Sequence, residues 1–224
     1  MKSYPKIYGV EAEDDHFGED CIAFEKLDGS NIRFEWNKKQ GWYKFGTRTR
    51  TFDRTDKEFG GSIDLFLNKY GEPLAKVMRD KFAKTDSCIS YAEFLGPVSF
   101  AGLHDPNYLH QIGYLKEVVS NDPKDIVLFD FNPYKKGFVS PVEFLKLFSH
   151  LHIPQVIWQG KLNELFVTLV RQNMLGGQFN GKLKEGVVVK GGESHKLWMK
   201  KIKTNAFIDE IKRVFGVGWT QFGE

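Results

Sequence analysis

The chain has 224 residues and a formal net charge of +3, and its 41% hydrophobic and 27% charged residues exclude collagen, coiled coils and intrinsic disorder. A length of this order accommodates one large domain or two small ones and buries enough apolar surface to fold without disulfide bonds. No apolar run approaches the roughly 18 residues of a membrane span and no signal-peptide core is present, so we expect a cytoplasmic globular protein with reduced cysteines.

Short runs in which apolar and polar residues alternate dominate the chain, as is typical of half-buried β-strands. They predict strands over Cys21–Trp36, Trp42–Thr47, Cys88–Phe94, Asp125–Phe131, Gln155–Gln159, Glu185–Gly191 and Leu197–Lys203. Apolar residues at helical spacing predict helices over Ser62–Phe82, Pro141–His152, Leu162–Met174 and Asn205–Phe215. Gly71 and Pro73 are candidate breaks in the first helix. This order predicts a single mixed α+β domain with two packed sheets over residues 1–224.

Charge and glycine are unevenly distributed along this pattern. Residues 11–20 carry only acidic charges, whereas cations dominate residues 182–213, and a second basic cluster over residues 44–57 is interleaved with aromatic side chains. Such clusters are typical of surfaces that bind phosphate or nucleic acid, although a solvated charged face gives the same pattern. A turn is expected at residues 96–97 and a glycine-rich connecting loop over Met174–Lys184.

The first candidate motif, E-K-L-D-G-S-N, begins at Glu25 and ends at Asn31. Strand alternation places Lys26 and Asp28 on one face, and Gly29 lets the backbone turn tightly beside a ligand. A lysine with a nearby carboxylate is a candidate amine nucleophile, but so short a motif taken alone is more often a β-turn with a surface lysine.

Two later motifs place further charges on strands. The motif E-G-V-V-V-K runs from Glu185 to Lys190. Strand alternation puts these two residues on opposite faces unless the strand bends or ends. In the motif K-I-K, Lys201 and Lys203 project from one face about 7 Å apart, where their ammonium groups repel each other. A polyphosphate bound between them would relieve this repulsion, and a solvated strand edge is the alternative.

Single carboxylates interrupt two otherwise apolar strands, Glu93 within Y-A-E-F-L and Asp130 within V-L-F-D-F. A carboxylate buried in a strand needs a hydrogen-bond donor or a metal as its partner. One such residue is commonly part of a structural ion pair, but two of them in a chain with paired lysines indicate a site.

Taken together and in their order along the chain, the five motifs resemble those of the covalent nucleotidyltransferase superfamily of nucleic-acid ligases and mRNA capping enzymes. The resemblance covers about residues 20 to 205 and is far more specific than any single motif. Asn31, five residues after Lys26, is similar to the RNA ligase 2 branch, whereas DNA ligases usually have an arginine there. The resemblance implies an ATP-grasp-like ligase core of mostly antiparallel sheets flanked by helices.

The function that the resemblance implies is that of an ATP-dependent RNA ligase in RNA repair. A lysyl–AMP intermediate would form, AMP would pass to a 5′-phosphate, and a 3′-hydroxyl would then attack and seal the nicked strand. The implied cofactors are ATP and Mg²⁺ or Mn²⁺. The implied partner is a nucleic acid, either nicked RNA or an RNA/DNA duplex. The protein is expected to act as a monomer and not to bind a membrane. An ATP-dependent DNA ligase, a capping-type guanylyltransferase and a non-sealing nucleic-acid-binding module stay open.

The resemblance also assigns roles to individual residues, with Lys26 as the catalytic nucleophile. The implied nucleotide-binding residues are Glu25, Asn31, Arg48, Glu93, Phe129, Lys190, Lys201 and Lys203, with Arg50 as the alternative to Arg48. Glu185 matches the acid linked to the metal, through water, and Asp28 and Asp130 support these groups. Related ligases usually carry a further domain after the last lysine motif, and since only residues 204–224 follow it here we expect a catalytic core without a separate carboxyl-terminal domain.

Overall fold

The computed structural model describes residues 3–11, 14–95, 124–177 and 181–218. The chain divides into two compact units, unit 1 comprising Met1–Pro5 with Gly29–Ile153 and unit 2 comprising Lys6–Asp28 with Pro154–Glu224. Among the helices of the described residues, none combines the length and the apolar character needed to cross a membrane. That residues 1–224 form one functional domain stays a prediction.

The described strands and helices alternate in the order expected of an α+β protein. The strands are β1 (Tyr8–Gly9), β2 (Asp20–Lys26), β3 (Ser30–Asn37), β4 (Gly41–Gly46), β5 (Thr51–Phe52), β6 (Ser87–Leu95), β7 (Asp125–Pro133), β8 (Val156–Lys161), β9 (Gly186–Gly191) and β10 (Trp198–Lys203). The helices are α1 (Gly61–Phe66), α2 (Glu72–Asp80), α3 (Pro141–Phe148), α4 (Glu164–Arg171) and α5 (Asn205–Phe215), with a π-helical segment, Leu67–Gly71, joining α1 to α2.

Each unit is built on one five-stranded sheet, in the order β5-β4-β3-β6-β7 in unit 1 and β1-β10-β9-β2-β8 in unit 2. All neighbouring strands are antiparallel except β1 and β10, which pair in parallel. The predicted fold class, an α+β protein with mostly antiparallel sheets and flanking helices, is confirmed.

The core of unit 1 lies on the face of the sheet that packs against the helical segment. Phe34 of β3 stacks on Phe66 of α1 with a ring-centroid distance of 3.6 Å, and both rings are fully buried. The hydroxyl of Tyr70 donates to the carbonyl oxygens of Ile126 at 2.8 Å and His152 at 2.7 Å. These bonds fix the π-helical segment against β7.

The core of unit 2 lies between its sheet and α4. Val187 and Val189 of β9 are fully buried in one apolar cluster with Phe166 and Val170 of α4. Trp158 of β8 stacks on Phe166 at a centroid distance of 5.0 Å. One face of this sheet is therefore apolar and covered.

Several predicted bounds change in the structure. The strand predicted over Cys21–Trp36 is two strands of different sheets, because the chain turns at Gly29, where a Cβ would lie only 2.7 Å from the carbonyl oxygen of Phe94. The helix predicted over Ser62–Phe82 does not stop at Gly71 but passes through the π-helical segment, and Pro73 lies in the first turn of α2, where its missing N–H is tolerated.

The remaining differences concern the lengths of two helices and two short strands that were not predicted. The helices predicted over Pro141–His152 and Leu162–Met174 are shorter, as α3 and α4, while α5 has the predicted bounds. The two-residue strands β1 and β5 were missed because so short a segment has no measurable alternation. The expected turn at residues 96–97 and part of the loop expected over Met174–Lys184 lie outside the described residues.

Candidate active site

The lysines of unit 2 lie on one face of its sheet. Lys26 of β2 and Lys203 of β10 both pair in register with Gly186, so they flank this glycine on β9. Lys201 pairs with Val188, two residues further along β9, and Lys190 follows two residues after that. Because Val187 and Val189 point into the core, alternation sends all four lysines to the opposite side, here called the lysine face.

A buried carboxylate joins two of these lysines. Glu185 is 4% exposed, and its Oε2 lies 2.5 Å from Lys26 Nζ while its Oε1 lies 3.0 Å from Lys203 Nζ. Simple alternation would have put Glu185 on the core side with Val187. It reaches the lysine face because β9 begins only at Gly186, whose φ of +149° interrupts the alternation.

Gly186 is also required by the space around it. A Cβ there would lie 2.0 Å from the carbonyl oxygen of Ile202 on β10. We expect Gly186→Ala to push β10 away, to lower stability by about 1–3 kcal/mol as for other forced backbone strain, and to displace the Glu185 carboxylate. Thermal unfolding measures the first effect, and Gly176→Ala, where a Cβ meets nothing within 4 Å, is the matched control. Equal melting temperatures for the two variants would contradict this expectation.

The charges on the lysine face shift one another's titration. Burial alone would raise the pKa of the Glu185 carboxyl, but the ammonium groups of Lys26 and Lys203 outweigh it and hold the pKa below its usual value. Lys201 has no ion-pair partner among the described residues, and half-burial together with the charges of Lys203 and Lys26 lowers its pKa to about 8. The face thus carries more cations than the one carboxylate neutralises.

Three other residues of the predicted site belong to unit 2. Lys190 is buried, and its ammonium lies 5.5 Å from the centroid of the Phe24 ring. Glu25 is buried on the side of β2 opposite Lys26, and its backbone N–H donates to the backbone carbonyl oxygen of Gln155 at 2.8 Å. Asp28 is buried beyond the end of β2. Of Lys190 and Glu25, only Lys190 therefore shares the lysine face.

In unit 1, β3 and β6 place Asn31 directly opposite Glu93. Residues paired in this way have Cβ atoms about 4.5–5.5 Å apart on the same face. Oε1 of Glu93 accepts a hydrogen bond from the backbone N–H of Gly29 at 3.1 Å. The turn at Gly29, within the motif E-K-L-D-G-S-N, therefore orients the Glu93 carboxylate.

Phe129 and Asp130 lie at a β-bulge of β7. Tyr91 pairs with Asp130 and the next residue of β6 pairs with Leu128, so Phe129 is the extra residue of the bulge. Bulges re-aim side chains and are frequent beside active sites. The Phe129 ring is half-exposed and contacts the ring of Tyr4 edge-on at 5.1 Å.

Asp130 is bound by Tyr4, a residue near the amino terminus that lies outside the five motifs. Its Oδ2 accepts a hydrogen bond from the hydroxyl of Tyr4 at 2.8 Å, and its Oδ1 accepts from the backbone N–H of Phe131 at 2.9 Å. Burial, followed by the charge of Asp130, raises the pKa of the Tyr4 phenol well above its usual value. The fixed carboxylate of Asp130 lies next to the bulge.

The arginines after β4 differ in their partners. Arg50 is ion-paired with Asp56 and with Glu58, and its guanidinium lies 5.2 Å from the Phe59 ring centroid. Arg48 is exposed and makes no ion pair within the part of the chain that the structure describes. Of the two candidates for a phosphate contact, Arg48 is the one whose charge is not already used by its own loop.

The five motifs do not include the buried Arg33 of β3. It pairs in register with Gly46 and Tyr91, and its Nη1 lies 3.5 Å from the carbonyl oxygen of Arg48. Burial lowers the pKa of its guanidinium. The signal in the sequence was an arginine two residues after Asn31, on the same strand face.

The donor set for a divalent metal can be tested on these side chains. The described ranges contain no cluster of three or more histidine, cysteine or acidic side chains suited to a metal. Mg²⁺ keeps most of its waters and binds one or two carboxylates together with substrate phosphates. A single buried carboxylate, Glu185, among lysines fits an ion of this kind.

A lysine paired with a buried acid and surrounded by further lysines is the arrangement expected of a covalent nucleotidyltransferase. The family model of RNA ligase matches residues 19–202. The chain belongs to the RNA ligase family. No curated protein gave a match to its sequence.

Solved structures of an RNA ligase from Naegleria gruberi share the fold. The form with pyrophosphate is 14% identical with a TM-score of 0.64 and matches 95% of this chain and 58% of its own. A lysine-to-alanine variant with ATP and Mn is 15% identical with a TM-score of 0.63, and a glutamate-to-alanine variant with AMP and Mn is 14% identical with a TM-score of 0.64, each matching 93% of this chain and 58% of its own. The chain spans less than two thirds of the length of these ligases.

Proposed function

We propose that the chain is an ATP-dependent RNA ligase that forms lysyl–AMP on Lys26 and seals 5′-phosphate to 3′-hydroxyl ends in nicked nucleic acid. The observation that carries the proposal is the Glu185 carboxylate held by both Lys26 and Lys203 on a face with two further lysines. Membership of the RNA ligase family favours this function over a capping-type guanylyltransferase or a DNA ligase. The similar ligases solved with ATP or AMP and Mn support the choice of nucleotide and metal.

The lysine face is suited to a polyphosphate. Lys190, Lys201 and Lys203 would contact the phosphates of ATP and neutralise the charge that develops on the phosphoryl oxygens. Glu185 would hold the divalent ion through water, and when bound this ion supplies additional positive charge at the phosphates. Because Glu185 alone does not neutralise the lysines, an anion bound here relieves their mutual repulsion.

Lys26 must lose a proton before it can react. A free lysine titrates near ~10.4, so only about one molecule in a few thousand is an amine at pH 7. The cations of Lys201 and Lys203 favour the neutral amine, whereas the Glu185 carboxylate at 2.5 Å favours the ammonium. Reaction therefore requires that Glu185 loosen its hold on Lys26 when substrate binds. The amine then forms the N–P bond as the bond from the α-phosphorus to pyrophosphate breaks, and the proton leaves to solvent.

The groups of unit 1 would recognise the rest of the nucleotide. We assign the ribose hydroxyls to Glu93, the α-phosphate side to Asn31, and the adenine to the ring of Phe129. Arg48 would contact a phosphate of the nucleotide or of the nucleic acid. The cross-strand pairing of Asn31 with Glu93 and the bulge at Phe129 support these roles.

Incubation with ATP radiolabelled at its α-phosphate and with Mg²⁺ or Mn²⁺ tests the chemistry. We expect a labelled covalent adduct with the chain, then transfer to a 5′-phosphorylated nick and a joined product. Nicked duplexes with an RNA or a DNA strand at the 3′-hydroxyl distinguish an RNA ligase from a DNA ligase. Label from GTP but not from ATP would contradict the ligase assignment, and an adduct without a joined product would leave only the adenylylation step.

Phe129→Ala is expected to weaken ATP binding by about 1–3 kcal/mol, the usual effect of removing an aromatic side chain that stacks on a base. Phe129→Tyr keeps the ring and serves as the matched control. Isothermal titration calorimetry measures both dissociation constants. Equal affinities for wild type and Phe129→Ala would remove Phe129 from the adenine site.

Binding of ATP is expected to take up a proton above pH 8. In the free protein the lowered pKa of Lys201, about 8, leaves its amine largely neutral at pH 9. Phosphates nearby favour the ammonium form, so binding raises this pKa and up to one proton enters from solvent. Calorimetry in buffers of different ionisation enthalpy measures the uptake, and Lys201→Arg, which stays charged, should abolish it. Uptake that persists in this variant would assign the proton to another group.

A further inference from the structure

A cavity of about 620 Å³ lies in unit 1, where β3 turns into β4. Trp36 and Trp42 line it together with Leu67 of the π-helical segment and the charged residues Lys38, Arg79 and Glu72. This volume falls within the range of about 300–1,000 Å³ that is typical of ligand pockets. No residue of the proposed active site lines this cavity, which we call the tryptophan cavity.

The indoles of the tryptophan cavity are fixed by the fold. Trp36 and Trp42 pair directly across β3 and β4, beside a shift in register. Nε1 of Trp42 donates at 2.9 Å to the carbonyl oxygen of Gly71, the last residue of the π-helical segment. Such π-helical segments frequently occur at functional sites, because they redirect backbone groups that an α-helix would pair internally.

The surface around the cavity is positively charged. Lys38 Nζ donates to the carbonyl oxygen of Ala83 at 2.5 Å and lies 3.3 Å from Asp86, which brings the β3–β4 turn beside the segment after α2. The nearby acids are all ion-paired, Glu72 with Arg79, Asp80 with Lys76 and Asp86 with Lys38. Three exposed lysines, Lys39, Lys81 and Lys84, make no ion pair among the described residues.

We propose that the tryptophan cavity binds an unpaired nucleotide of single-stranded RNA, with the base against the indoles and the adjoining phosphates along Lys39, Lys81 and Lys84. Proteins that bind single strands combine an aromatic surface for bases with a cationic groove for the backbone. The lysines extend beyond the cavity, so they match a strand with several phosphates better than a free nucleotide. The inference deepens the proposed function and depends on RNA as its substrate.

Fluorescence anisotropy with a labelled oligouridylate, measured on the full chain without ATP, tests the charged surface. The variant Lys39→Glu/Lys84→Glu should bind RNA more weakly, and the salt dependence of its binding should fall by about 1.4 in log–log slope, since each lost phosphate contact removes about 0.7. Lys136→Glu/Lys146→Glu changes the same charge at exposed lysines elsewhere in unit 1 and is the matched control. Equal losses in the two variants would overturn the proposal, because they would reflect only net charge.

A second comparison tests the base. Wild type should bind oligouridylate more tightly than the matching abasic strand, by about 5- to 150-fold for one stacked base. Trp42→Ala should erase this difference and Trp42→Phe should keep part of it. If wild type binds the two strands equally well, no base enters the cavity and the proposal fails.

These outcomes are independent of the adenylylation chemistry. Adduct formation with ATP should be unchanged in Lys39→Glu/Lys84→Glu, because neither lysine belongs to the proposed active site. A wild-type chain that forms no adduct but prefers oligouridylate over the abasic strand would refute the ligase proposal and retain the cavity. A wild-type chain that forms adduct but binds both strands equally well would retain the ligase proposal and refute RNA binding in the tryptophan cavity.

Discussion

Lys26→Ala and Lys26→Arg are both expected to abolish the AMP adduct. Alanine has no nucleophile, and the guanidinium of arginine stays protonated at working pH and offers no lone pair. The arginine variant is the sharper of the two, because it keeps the positive charge beside Glu185 while it removes the reactive amine. Radiolabelled AMP that stays with the denatured chain in a gel measures the adduct.

The control for these variants must alter a lysine of the same unit outside the lysine face. Lys161→Ala on β8 suits this purpose, because its side chain is 62% exposed and pairs only with surface groups. This control should form adduct as wild type does. Circular dichroism establishes that the Lys26 variants fold. Adduct at the wild-type level in a folded Lys26→Arg protein would exclude Lys26 as the nucleophile.

The sequence predicted the elements of the fold because most strands alternate clearly. The runs around Glu93 and Asp130 became β6 and β7, and the K-I-K motif lies on β10 with Lys201 and Lys203 on one face, as expected. The family resemblance was confirmed by the match to the RNA ligase model. In these segments local periodicity and burial specify the same conformation, which is why a single sequence was sufficient.

The contacts that complete the candidate site were not predictable in the same way. Lys26 and Glu185 are 159 residues apart, and their pairing depends on the register of β2 with β9 and on the φ of Gly186. The bond of Tyr4 to Asp130 joins residues 126 positions apart. No local pattern encodes such distant pairs, because they follow from how strands align.

Charge clusters were the least informative feature of the sequence. The basic cluster over residues 44–57 was expected to offer several cations to phosphate, yet Arg50 is held by Asp56 and Glu58, and Arg54 by Asp64. Acids only a few residues away supply these partners. A count of cations therefore overestimates how many are available, and the structure narrows this cluster to Arg48 among its arginines.

Glu185 is the residue for which chemistry and stability are most closely linked. Two ammonium groups share its buried carboxylate, so its removal takes a negative charge away from both. Breaking a buried ion pair in this way costs about 3–5 kcal/mol. Glu185→Gln keeps the shape and an acceptor oxygen, so it should cost less than Glu185→Ala. Glu185→Gln removes the charge and one of the two acceptor oxygens, whereas Glu185→Ala removes both acceptors and the side-chain volume.

The pH dependence of stability gives this expectation a sign. The pKa of Glu185 is lowered in the folded state, so the unfolded chain binds more protons as pH falls through the carboxyl range. Its stabilising contribution is therefore complete above the unfolded value of about 4.3 and is lost as pH falls below it. Urea unfolding should show a higher free energy of unfolding for wild type than for Glu185→Gln at pH 7, and this difference should narrow at lower pH. A difference that stays constant would mean that the charge of Glu185 does not stabilise the fold.

Adduct formation in Glu185→Gln is expected to need about 10- to 100-fold more Mn²⁺ or Mg²⁺, the range observed when groups that support a bound metal are removed. The amide cannot supply the negative charge that a divalent cation needs, although its one carbonyl oxygen still accepts a hydrogen bond from Lys26 or Lys203. Asp14→Asn is the matched control, because this acid pairs with Lys200 on the side of β10 away from the lysine face. The metal concentration at half-maximal adduct yield is the measurement. An unchanged value in Glu185→Gln, with the adduct rate intact, would leave Glu185 a structural partner of the lysines and move the metal to the phosphates of ATP alone.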